Sequence, residues 1–501
     1  MNERYEKIFK PLQNGSDVRG SAIATEKEPK NLTPEIAADI AAGFLVWLEK
    51  RTGKPASELK VGVGHDSRLT ADIIKNGVLS GLAGSRAYDC GLASTPSLFI
   101  STILPESAFD GAVMITASHL PFNRNGLKFF TKDGGLEKAD ITEILQTASE
   151  KDIPVSEAAS AESFDLVSAY SERMMGIIKE EVNAEDFDHP LKGLHIVVDA
   201  GNGASGFFAS RILEPLGADI SGSVYLDPDG NFPNHVPNPE NPVAMEAVSK
   251  AVLSSGADLG VIFDCDGDRG AAVFSDGSEV NRNTLIALMA AILKEKNPGA
   301  TVVTDSVTSD ELNVFLEKDL GMKHLRFKRG YKNVINKGIE LNAEGINCPL
   351  AIETSGHGAL KENYFSDDGA YLCVKIICKA ARLRAEGRSI KDLISTLGAP
   401  AESEEVRYTI TGENFADYGK KVLEDFTGFA EKDPRFHIVS PNYEGIRISF
   451  DDDEVQGWML MRMSLHDPVI PINLEAQKAG GTKIIMDRLA PFLAAHDRLE
   501  R

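Results

Sequence analysis

The feature that most constrains the fold is a repeated unit in which a short apolar run ends in a polar or glycine-rich loop. The runs are residues 61–64, 111–115, 196–198, 259–263, 301–304 and 349–352. Continuous apolar runs of this length are typical of strands that are buried on both faces of a sheet. Helical segments lie between them, and this alternation predicts α/β units with largely parallel or mixed sheets.

The clearest helix signal is Thr33 followed by Pro34, an N-cap residue and a proline at the first helical position. Gly53 is a suitable C-terminal cap. The apolar face expected between these two ends is Ile36, Ile40, Phe44, Trp47 and Leu48. The sequence therefore predicts a helix from Pro34 to Thr52.

A chain of 501 residues is too long for one ordinary core and should form several domains. Small and polar stretches at residues 151–163, 277–283 and 398–403 are typical of joints between domains. After the last joint, residues 406–410 and 446–450 alternate like antiparallel strands. We expect domains at 1–163, 164–280, 281–399 and 400–501.

Charge and composition exclude several classes of partner. The formal charge of −22 would repel nucleic acid from most of the surface. No apolar segment is long enough to span a bilayer, and the polar N-terminus lacks the features of a secretory signal, so we expect a cytoplasmic protein without membrane contacts. Five scattered cysteines argue against a disulfide framework and for buried thiols.

The strongest chemical signal is the triple carboxylate Asp264, Asp266 and Asp268. Two carboxylates about 5 Å apart repel by roughly 3 kcal/mol at an effective dielectric constant of about 20, so three in one loop call for a cation. Oxygen ligands favour Mg²⁺. A calcium EF-hand is excluded by Arg269 and Ser275, which stand where that loop requires Gly and Glu. A solvated acidic turn stays open as the alternative.

A second signal is Ser118, which follows the apolar run 111–115 within the segment 116–121. Open α/β sheets bind ligands at the carboxyl ends of their strands. His119 and Lys128 could move protons near the hydroxyl, which indicates a phosphoryl-transfer centre. The alternatives are a surface histidine and a solvated lysine at a strand edge.

Three further groups of residues suit a sugar phosphate. Residues 353–357 concentrate hydrogen-bonding groups after a buried strand and could read sugar hydroxyls, although Thr354 or Ser355 could instead cap a helix. Basic side chains gather at Arg326, Lys328, Arg329 and Lys332. Residues 462–466 could clamp a phosphate, a weak signal by itself.

Taken in order, these loops resemble the α-D-phosphohexomutase superfamily, specifically the bacterial phosphomannomutase/phosphoglucomutase group. The segments that carry the resemblance are 17–20, 116–121, 125–128, 198–206, 229–235, 264–269, 353–357, 367–369, 444–447 and 462–464. The resemblance implies four domains in a heart-shaped arrangement around a central cleft. Three would be related α/β domains with mixed sheets, and the fourth a smaller C-terminal α+β domain.

The resemblance also implies roles. Ser118 would be the phosphoserine and would bind Mg²⁺ together with Asp264, Asp266 and Asp268. Arg19 and Arg269 would stabilise the transferring group, while His119 and Lys128 would handle protons. The expected sugar-hydroxyl contacts are Glu353, Ser355 and His357. The expected contacts of the non-reacting phosphate are Lys328, Arg447, Arg462 and Ser464.

The implied reaction interconverts hexose 1-phosphate and hexose 6-phosphate, of mannose or glucose, through a hexose 1,6-bisphosphate. The substrate is then the main partner, and the protein a monomer or homodimer. Three positions depart from the family pattern: Tyr331 stands where His is common, and His466 and Pro471 alter the last phosphate loop. These departures affect the expected substrate specificity.

Three other functions stay open. Phosphoglucosamine mutase is a closely related alternative. An enzyme of the haloacid-dehalogenase kind would use Asp264 as its nucleophile, although that motif normally lies near the start of its domain. The altered last loop also suggests a non-catalytic sugar-phosphate-binding protein.

Overall fold

The computed structural model describes residues 2–156, 159–464 and 467–501. The chain divides into two compact units. Unit 1 comprises Met1–Asn281 and Ser355–Asp392, and unit 2 comprises Arg282–Thr354 and Leu393–Arg501.

Helices and strands alternate along most of the chain. The helices are α1 (Pro34–Thr52), α2 (Ala71–Gly81), α3 (Thr95–Ile100), α4 (Lys138–Ala148), α5 (Leu166–Val182), α6 (Pro242–Ser255), α7 (Arg282–Lys294), α8 (Asp310–Val314), α9 (Tyr331–Ala343), α10 (Gly369–Ala385), α11 (Phe415–Ala430) and α12 (Gly481–Ala494). The strands are β1 (Gln13–Asn14), β2 (Asp17–Ser21), β3 (Lys60–His65), β4 (Arg86–Leu92), β5 (Gly111–Ile115), β6 (Arg124–Thr131), β7 (Gly134–Gly135), β8 (Glu162–Ser163), β9 (Ile196–Asp199), β10 (Leu259–Phe263), β11 (Gly270–Phe274), β12 (Glu279–Val280), β13 (Thr301–Thr304), β14 (Lys323–Arg326), β15 (Leu350–Ile352), β16 (Gly358–Leu360), β17 (Glu402–Ile410), β18 (His437–Ile438), β19 (Ile446–Asp451), β20 (Gln456–Met461), β21 (Val469–Ala476) and β22 (Leu499–Glu500).

The first sheet of unit 1 has the order β1-β2-β6-β5-β3-β4-β8, with β7 beside β6. Strands β5, β3, β4 and β8 pair in parallel, whereas β6 pairs antiparallel with β5 and β2. Helices α1, α2 and α4 contribute to the core over this sheet. Helices α1 and α2 pack closely. The space between them is so small that a Cβ atom at Gly77 would lie 2.1 Å from the Pro34 carbonyl oxygen.

The predicted first helix is confirmed. Thr33 caps α1 by accepting the Ile36 N–H, and Gly53 ends it in the left-handed conformation that suits glycine. Of its predicted apolar face, Ile40, Phe44, Trp47 and Leu48 are buried.

The second sheet of unit 1 has the order β12-β11-β10-β9 and is also mixed. Strands β10 and β9 are parallel, whereas β11 is antiparallel to both β10 and β12. Strand β10 is buried along its whole length and leads directly into the acidic loop 264–269. The sheet therefore holds the carboxylates at a strand end, as the apolar run predicted.

Unit 2 contains a parallel set, β14-β13-β15, and an antiparallel sheet with the order β18-β19-β20-β21-β17-β22. Helices α11 and α12 pack with the antiparallel sheet in one apolar core. The predicted change of character after residue 403 is thus confirmed: β17 and β19 contain the two alternating segments, and both pair antiparallel.

Every apolar run singled out in the sequence forms a strand, and the six strands are β3, β5, β9, β10, β13 and β15. The alternative of a helix capped by Thr354 or Ser355 is wrong, because the chain continues into β16. Within the described ranges, no helix is both long and apolar enough to cross a membrane. The five cysteines are all buried.

Candidate active site

Ser118 lies just beyond the end of β5, in a backbone conformation that is rare for a residue with a side chain. Its φ is +50°, in the left-handed region. The Thr116 hydroxyl accepts the Ser118 N–H at 2.8 Å and donates to Asp66 Oδ2 at 2.6 Å. Such strain costs on the order of 1–3 kcal/mol and persists only where neighbouring contacts enforce it. Here it aims Ser118 Oγ at Asp264 Oδ2, 3.0 Å away.

The loop that carries Ser118 is also held by Arg68, a residue that the sequence did not single out as functional. Its guanidinium, fully buried, donates to four backbone carbonyl oxygens. These acceptors are Ser118 O and Leu120 O, each at 2.5 Å, Pro121 O at 2.8 Å and Arg124 O at 2.9 Å. One side chain, that of Arg68, therefore fixes the loop that carries Ser118.

The three carboxylates of the acidic loop are buried, with 0–1% of each residue exposed. The alternative of a solvated acidic turn is therefore wrong. Lys128 Nζ donates to Asp266 Oδ2 at 3.0 Å and to Asp268 Oδ2 at 2.5 Å. Thr95 Oγ1 also donates to Asp266 Oδ2, at 2.6 Å. Lys128 is only 4% exposed, which rules out the solvated strand-edge alternative as well.

The buried charges of these residues change one another's pKa values. Burial, reinforced by Asp268 and Asp266, raises the pKa of Asp264 well above its ordinary value. Burial opposes the charge on Asp266, but Lys128 and the Thr95 hydroxyl still hold the pKa of this carboxyl well below its usual range. Burial likewise opposes the charge on Lys128, yet Asp266 and Asp268 raise its pKa, so the ammonium group stays protonated. Lys128 therefore pairs with Asp266 and Asp268, while Arg269 Nε lies 3.9 Å from Asp264 Oδ2.

The residues present fit a metal ion. One oxygen from each of Asp264, Asp266 and Asp268 lies within 4.8 Å of the others. Asp266 Oδ1 and Asp268 Oδ1 are buried and have no hydrogen-bond partner in the part of the chain that the structure describes. Buried polar atoms normally have partners, and hard divalent cations prefer oxygen ligands. The acidic loop could therefore bind a metal ion.

Arg269 connects the acidic loop to two histidines. Its Nε donates to His357 Nε2 at 2.9 Å, and its Nη2 lies 3.0 Å from His119 Nδ1. Nη1 lies 3.4 Å from Glu240 Oε2 and from Asn238 Oδ1. The guanidinium plane is thus fixed on three sides.

His119 is half-buried, with Nδ1 3.2 Å from Ser118 Oγ. Burial and the adjacent Arg269 guanidinium lower the pKa of His119 to about 3, so the ring is neutral at physiological pH. Arg19 is buried near the same strand ends: it donates to the Thr116 carbonyl oxygen and forms an ion pair with Asp17 at 2.8 Å.

The predicted sugar loop divides between the two units. Glu353 belongs to unit 2, where its Oε1 accepts the Gly330 N–H at 2.6 Å. Ser355 and His357 belong to unit 1 and are buried. Both ring nitrogens of His357 face protein groups: Nε2 accepts from Arg269, and Nδ1 lies 2.5 Å from Asp367 Oδ2.

Unit 2 holds two arginines whose carboxylate partners lie at the limit of ion-pair distance: Arg462 Nη2 is 4.0 Å from Glu405 Oε2, and Arg329 Nε is 4.0 Å from Asp305 Oδ2. Arg462 is 5% exposed, and its Nε has no hydrogen-bond partner among the described residues. Burial and the Arg329 guanidinium lower the pKa of Arg462. The backbone N–H of Arg329 donates to Glu444 Oε2 at 3.1 Å. We call Arg329 and Arg462 the arginine pair; Arg329 lies in the basic gathering but was not among the predicted site residues.

The other predicted phosphate contacts of unit 2 differ in their surroundings. Lys328 is exposed, and the hydroxyl of Ser464 accepts the Asp467 N–H at 3.3 Å. Pro471 lies in β21, where its carbonyl oxygen accepts the Arg462 N–H at 3.2 Å. Tyr331 begins α9, and His466 lies outside the described residues.

Arg447 is buried and stacked on Trp458, with its guanidinium carbon 3.7 Å from the ring centroid. Its donors reach Ser306 O at 3.0 Å, Thr308 O at 3.2 Å and Asp310 Oδ1 at 3.0 Å. In this arrangement Arg447 ties the antiparallel sheet to the loop that follows β13.

Comparison with known proteins agrees with this architecture. The models of phosphoglucomutase/phosphomannomutase α/β/α domains I, II and III match residues 10–154, 172–277 and 281–399. A crystal structure of a phosphoglucomutase/phosphomannomutase family protein from Burkholderia thailandensis superposes with a TM-score of 0.78 at 26% identity, covering 99% of this chain and 98% of that one. The fold is that of an α-D-phosphohexomutase.

Relatives of known activity span nearly the whole chain. A phosphoglucomutase/phosphomannomutase from Thermococcus kodakarensis is 30% identical over 468 residues, 92% of this chain and 93% of the relative. A phosphomannomutase/phosphoglucomutase from Pseudomonas putida is 29% identical over 448 residues, 88% of this chain and 89% of the relative. The chain belongs to the phosphoglucomutase/phosphomannomutase family.

Proposed function

We propose that this protein is a phosphohexomutase that interconverts the 1- and 6-phosphates of mannose or glucose through a phosphoserine at Ser118 and a hexose 1,6-bisphosphate. The observation that carries the proposal is the geometry of Ser118, whose Oγ lies 3.0 Å from Asp264 Oδ2 in a left-handed turn. A serine enforced in this way against three buried carboxylates suits a group that carries phosphate rather than one that makes a turn.

The proposed metal is Mg²⁺, held by Asp264, Asp266, Asp268 and the Ser118 phosphate. The two unpartnered carboxylate oxygens and the hard-oxygen ligand set support it. When bound, the ion supplies positive charge that offsets the phosphoryl oxygens during transfer.

In the proposed reaction, the bond between Ser118 Oγ and phosphorus breaks as a free hydroxyl of the hexose monophosphate bonds to the phosphorus, and the proton of that hydroxyl ends on Ser118 Oγ. The resulting bisphosphate then returns its other phosphoryl group to Ser118, and the isomeric monophosphate is released. Arg269 and Arg19 would stabilise the charge of the transferring group. Lys128 stays cationic and adds to that stabilisation, since two carboxylates hold its proton.

The proton-handling roles of His119 and Lys128 stay predictions. A base with a pKa of about 3 is weak at neutral pH, so in the unphosphorylated form His119 acts as a hydrogen-bond partner of Ser118. Phosphate on Ser118 and a bound ion would change the charges around it.

The non-reacting phosphate would bind at the arginine pair of unit 2, together with Lys328 and Ser464. The unpartnered, buried Nε of Arg462 supports this proposal because it is a cationic donor without an acceptor among the described residues. Glu353 and Ser355 would contact sugar hydroxyls. We also propose Arg447 for this site, where it would act by fixing the loop after β13.

Other parts of the prediction rest on sequence and also stay proposals. These are the domain bounds 1–163, 164–280, 281–399 and 400–501, a cytoplasmic location, a monomer or homodimer, and the absence of nucleic-acid and membrane partners.

The test is a substrate panel. The purified protein is assayed with Mg²⁺ and glucose 1,6-bisphosphate on the 1-phosphates of mannose, glucose and glucosamine, with coupled detection of the 6-phosphates. Turnover of mannose or glucose 1-phosphate is expected. Preference for the glucosamine compound would make it a phosphoglucosamine mutase, and no turnover at all would favour a sugar-phosphate binder. Phosphate that is labile to hydroxylamine and maps to Asp264 would support the haloacid-dehalogenase alternative.

A further inference from the structure

Glu444 brings a carboxylate to the arginine pair of unit 2. Its Oε2 accepts the backbone N–H of Arg329 at 3.1 Å and the hydroxyl of Ser306. Burial lowers the pKa of Arg462 and the Glu444 carboxylate acts in the opposite direction, so the two charges lie close together. Glu444 is part of the 444–447 segment that carries the family resemblance, but the sequence assigns it no role of its own.

The groups around Glu444 are those that bind phosphate in proteins. Phosphate oxygens accept hydrogen bonds from backbone N–H groups, hydroxyls and guanidinium groups. Arg329 N–H lies on the loop after β14, and Ser306 lies on the loop after β13, where only 4% of it is exposed. A carboxylate and a phosphate would therefore use the same donors, and two like charges side by side disfavour each other.

Two further carboxylates lie near the arginine pair, those of Asp305 and Glu405. Asp305 is fully buried, and its Oδ2 accepts the Thr354 hydroxyl at 2.6 Å. Glu405 Oε2 accepts from the Asn473 amide at 2.8 Å. Each is thus held by a neighbour outside the arginine pair. Glu444 differs, because the two donors described above belong to the loops that surround the pair.

The backbone at Glu444 is fixed, whereas its side chain is half-buried and has room to rotate. Asn442 Nδ2 donates to the carbonyl oxygens of Glu444 and Gly445, at 2.9 and 2.8 Å. Gly445 has a φ of +58°, and a Cβ atom there would lie 2.2 Å from the Met461 carbonyl oxygen. The carboxylate can therefore leave its two donors by a change of side-chain rotamer, while the turn stays in place.

We propose that Glu444 is a competing anion at the phosphate-binding site of unit 2: it accepts the donors of this site, and a phosphate group binds by displacing it. This inference rests on the proposed function. In that reaction the bisphosphate presents first one and then the other phosphoryl group to Ser118, so the group held at the arginine pair changes in each turnover. A site that held either group too tightly would slow the cycle.

Calorimetry with glucose 1-phosphate tests the proposal without turnover, in the Mg²⁺-loaded Ser118→Ala protein. Adding Glu444→Gln removes the charge but keeps an amide oxygen for the same donors, so binding should tighten about 10-fold. The gain should disappear when Arg462→Gln is also present. The matched control is Glu404→Gln, which alters an exposed ion pair with Arg501 in unit 2 and should leave the affinity unchanged.

Turnover supplies a second readout, in E444Q with Ser118 intact. KM for glucose 1-phosphate should fall, and kcat should fall with it, because the phosphate group leaves the site more slowly. A residue that only supports the fold would instead raise KM or leave it unchanged.

Unchanged or weaker binding in S118A/E444Q would overturn the proposal and show that Glu444 only joins the two loops. Tighter binding that persists with Arg462→Gln would also overturn it, because the effect would then lie outside the arginine pair. If E444Q does not fold, Glu444→Ala gives the same decision, since it removes the same charge. A wild-type protein that isomerises no hexose phosphate would defeat the proposed function, whereas the calorimetry would still decide whether Glu444 competes with phosphate.

Discussion

The acidic loop of unit 1 and the arginine pair of unit 2 each contain buried side-chain atoms without a hydrogen-bond partner among the described residues, but these atoms belong to groups of opposite charge. In unit 1, Asp266 and Asp268 share Lys128, and one further oxygen of each of these two carboxylates has no hydrogen-bond partner among the described residues. In unit 2, the Arg329 guanidinium lowers the pKa of Arg462, and Arg462 Nε has no hydrogen-bond partner among the described residues.

This contrast indicates which kind of ligand each region can bind. Leaving a buried polar atom without a partner costs free energy, so a site that keeps such atoms is a candidate for ligand binding. The first region suits a cation and the second an anion. The proposed Mg²⁺ ion and the proposed phosphate group would be the complementary ligands.

Replacing the proposed nucleophile should abolish turnover while leaving ligand binding in unit 2 intact. In Ser118→Ala, mutase activity should fall by about 10³-fold or more, because no group remains to carry the phosphate. Binding of glucose 1-phosphate, which depends on the arginine pair, should persist by calorimetry. Mass spectrometry should find phosphate on Ser118 in the wild type only. The control is Ser254→Ala, a helix serine in α6; substantial turnover by S118A would refute the phosphoserine.

Reducing the negative charge of unit 1 should weaken metal binding. Asp266→Asn should lower kcat by about 10²- to 10³-fold, comparable with the loss of one electrostatic stabiliser. Chelation should inactivate the wild type, and Mg²⁺ should restore it and raise its melting temperature. D276N, which changes an exposed carboxylate, should behave as wild type. Full activity in a chelator would contradict the metal assignment.

Within unit 2, Arg447 should matter first for stability. Arg447→Met removes three hydrogen bonds, one of them to a carboxylate, and should destabilise the unit by about 2–4 kcal/mol. Hydrogen exchange should report the loss in β19 and in the loop after β13. Unchanged protection in both segments would show that Arg447 is free to serve substrate alone.

Arg462 should matter for binding instead. Arg462→Gln should raise KM about 10- to 100-fold, equivalent to about 1.4–2.8 kcal/mol, with a smaller change in kcat. Arg462→Lys should recover only part, because an ammonium group cannot bind phosphate through two parallel hydrogen bonds. Arg435→Gln, which alters an exposed ion pair with Asp433 in unit 2, is the matched control. An unchanged KM in R462Q would remove unit 2 from phosphate binding.

The smallest effect concerns the buried contact between His235 and Asp199 in unit 1. His235 Nε2 lies 3.0 Å from Asp199 Oδ2, and Nδ1 lies 2.9 Å from the Val236 carbonyl oxygen. Burial opposes the charge, but Asp199 raises the pKa of His235 above its ordinary value. The stabilisation is therefore complete below the unfolded pKa of about 6.5 and is lost as pH rises through the raised folded pKa.

His235→Gln should accordingly speed exchange of the Gly201 amide, which donates to Asp199, and most strongly at low pH. The expected difference in opening free energy is about 1–2 kcal/mol at acidic pH and shrinks towards alkaline pH. Comparison at equal pH cancels the intrinsic exchange rate. A difference that grows with pH would contradict the charged state assigned to His235.

Strands and the acidic loop were predictable because their signals are local. A buried strand shows as an apolar run, and β5, β10 and β13 match the predicted bounds. Three carboxylates in five positions likewise indicate a cation from sequence alone. The resemblance added the order of the loops and hence the four-domain fold.

The supports of the site were not predictable, because they depend on contacts between residues far apart in sequence or on how a loop closes on itself. Arg68 meets Ser118 and Asp367 meets His357 only once the sheets have formed. A buried arginine and an acidic residue before a helix look like ordinary surface residues in a sequence. The same reason applies to Arg447: the resemblance predicts a phosphate contact, while its contacts with Ser306, Thr308 and Asp310 become visible only in the fold.

Because all five thiols are buried, the rates at which they are alkylated can report on local opening in the two units. Burial raises the pKa of Cys90 and of Cys378 to about 12 each, and that of Cys265 well above its ordinary value, so an alkylating reagent must await local opening. Cys348 belongs to unit 2, whereas the other four belong to unit 1. Alkylation for timed periods, followed by peptide mass spectrometry, would therefore measure the local opening of each unit separately, without an added label. Cys265 would report on the acidic loop itself.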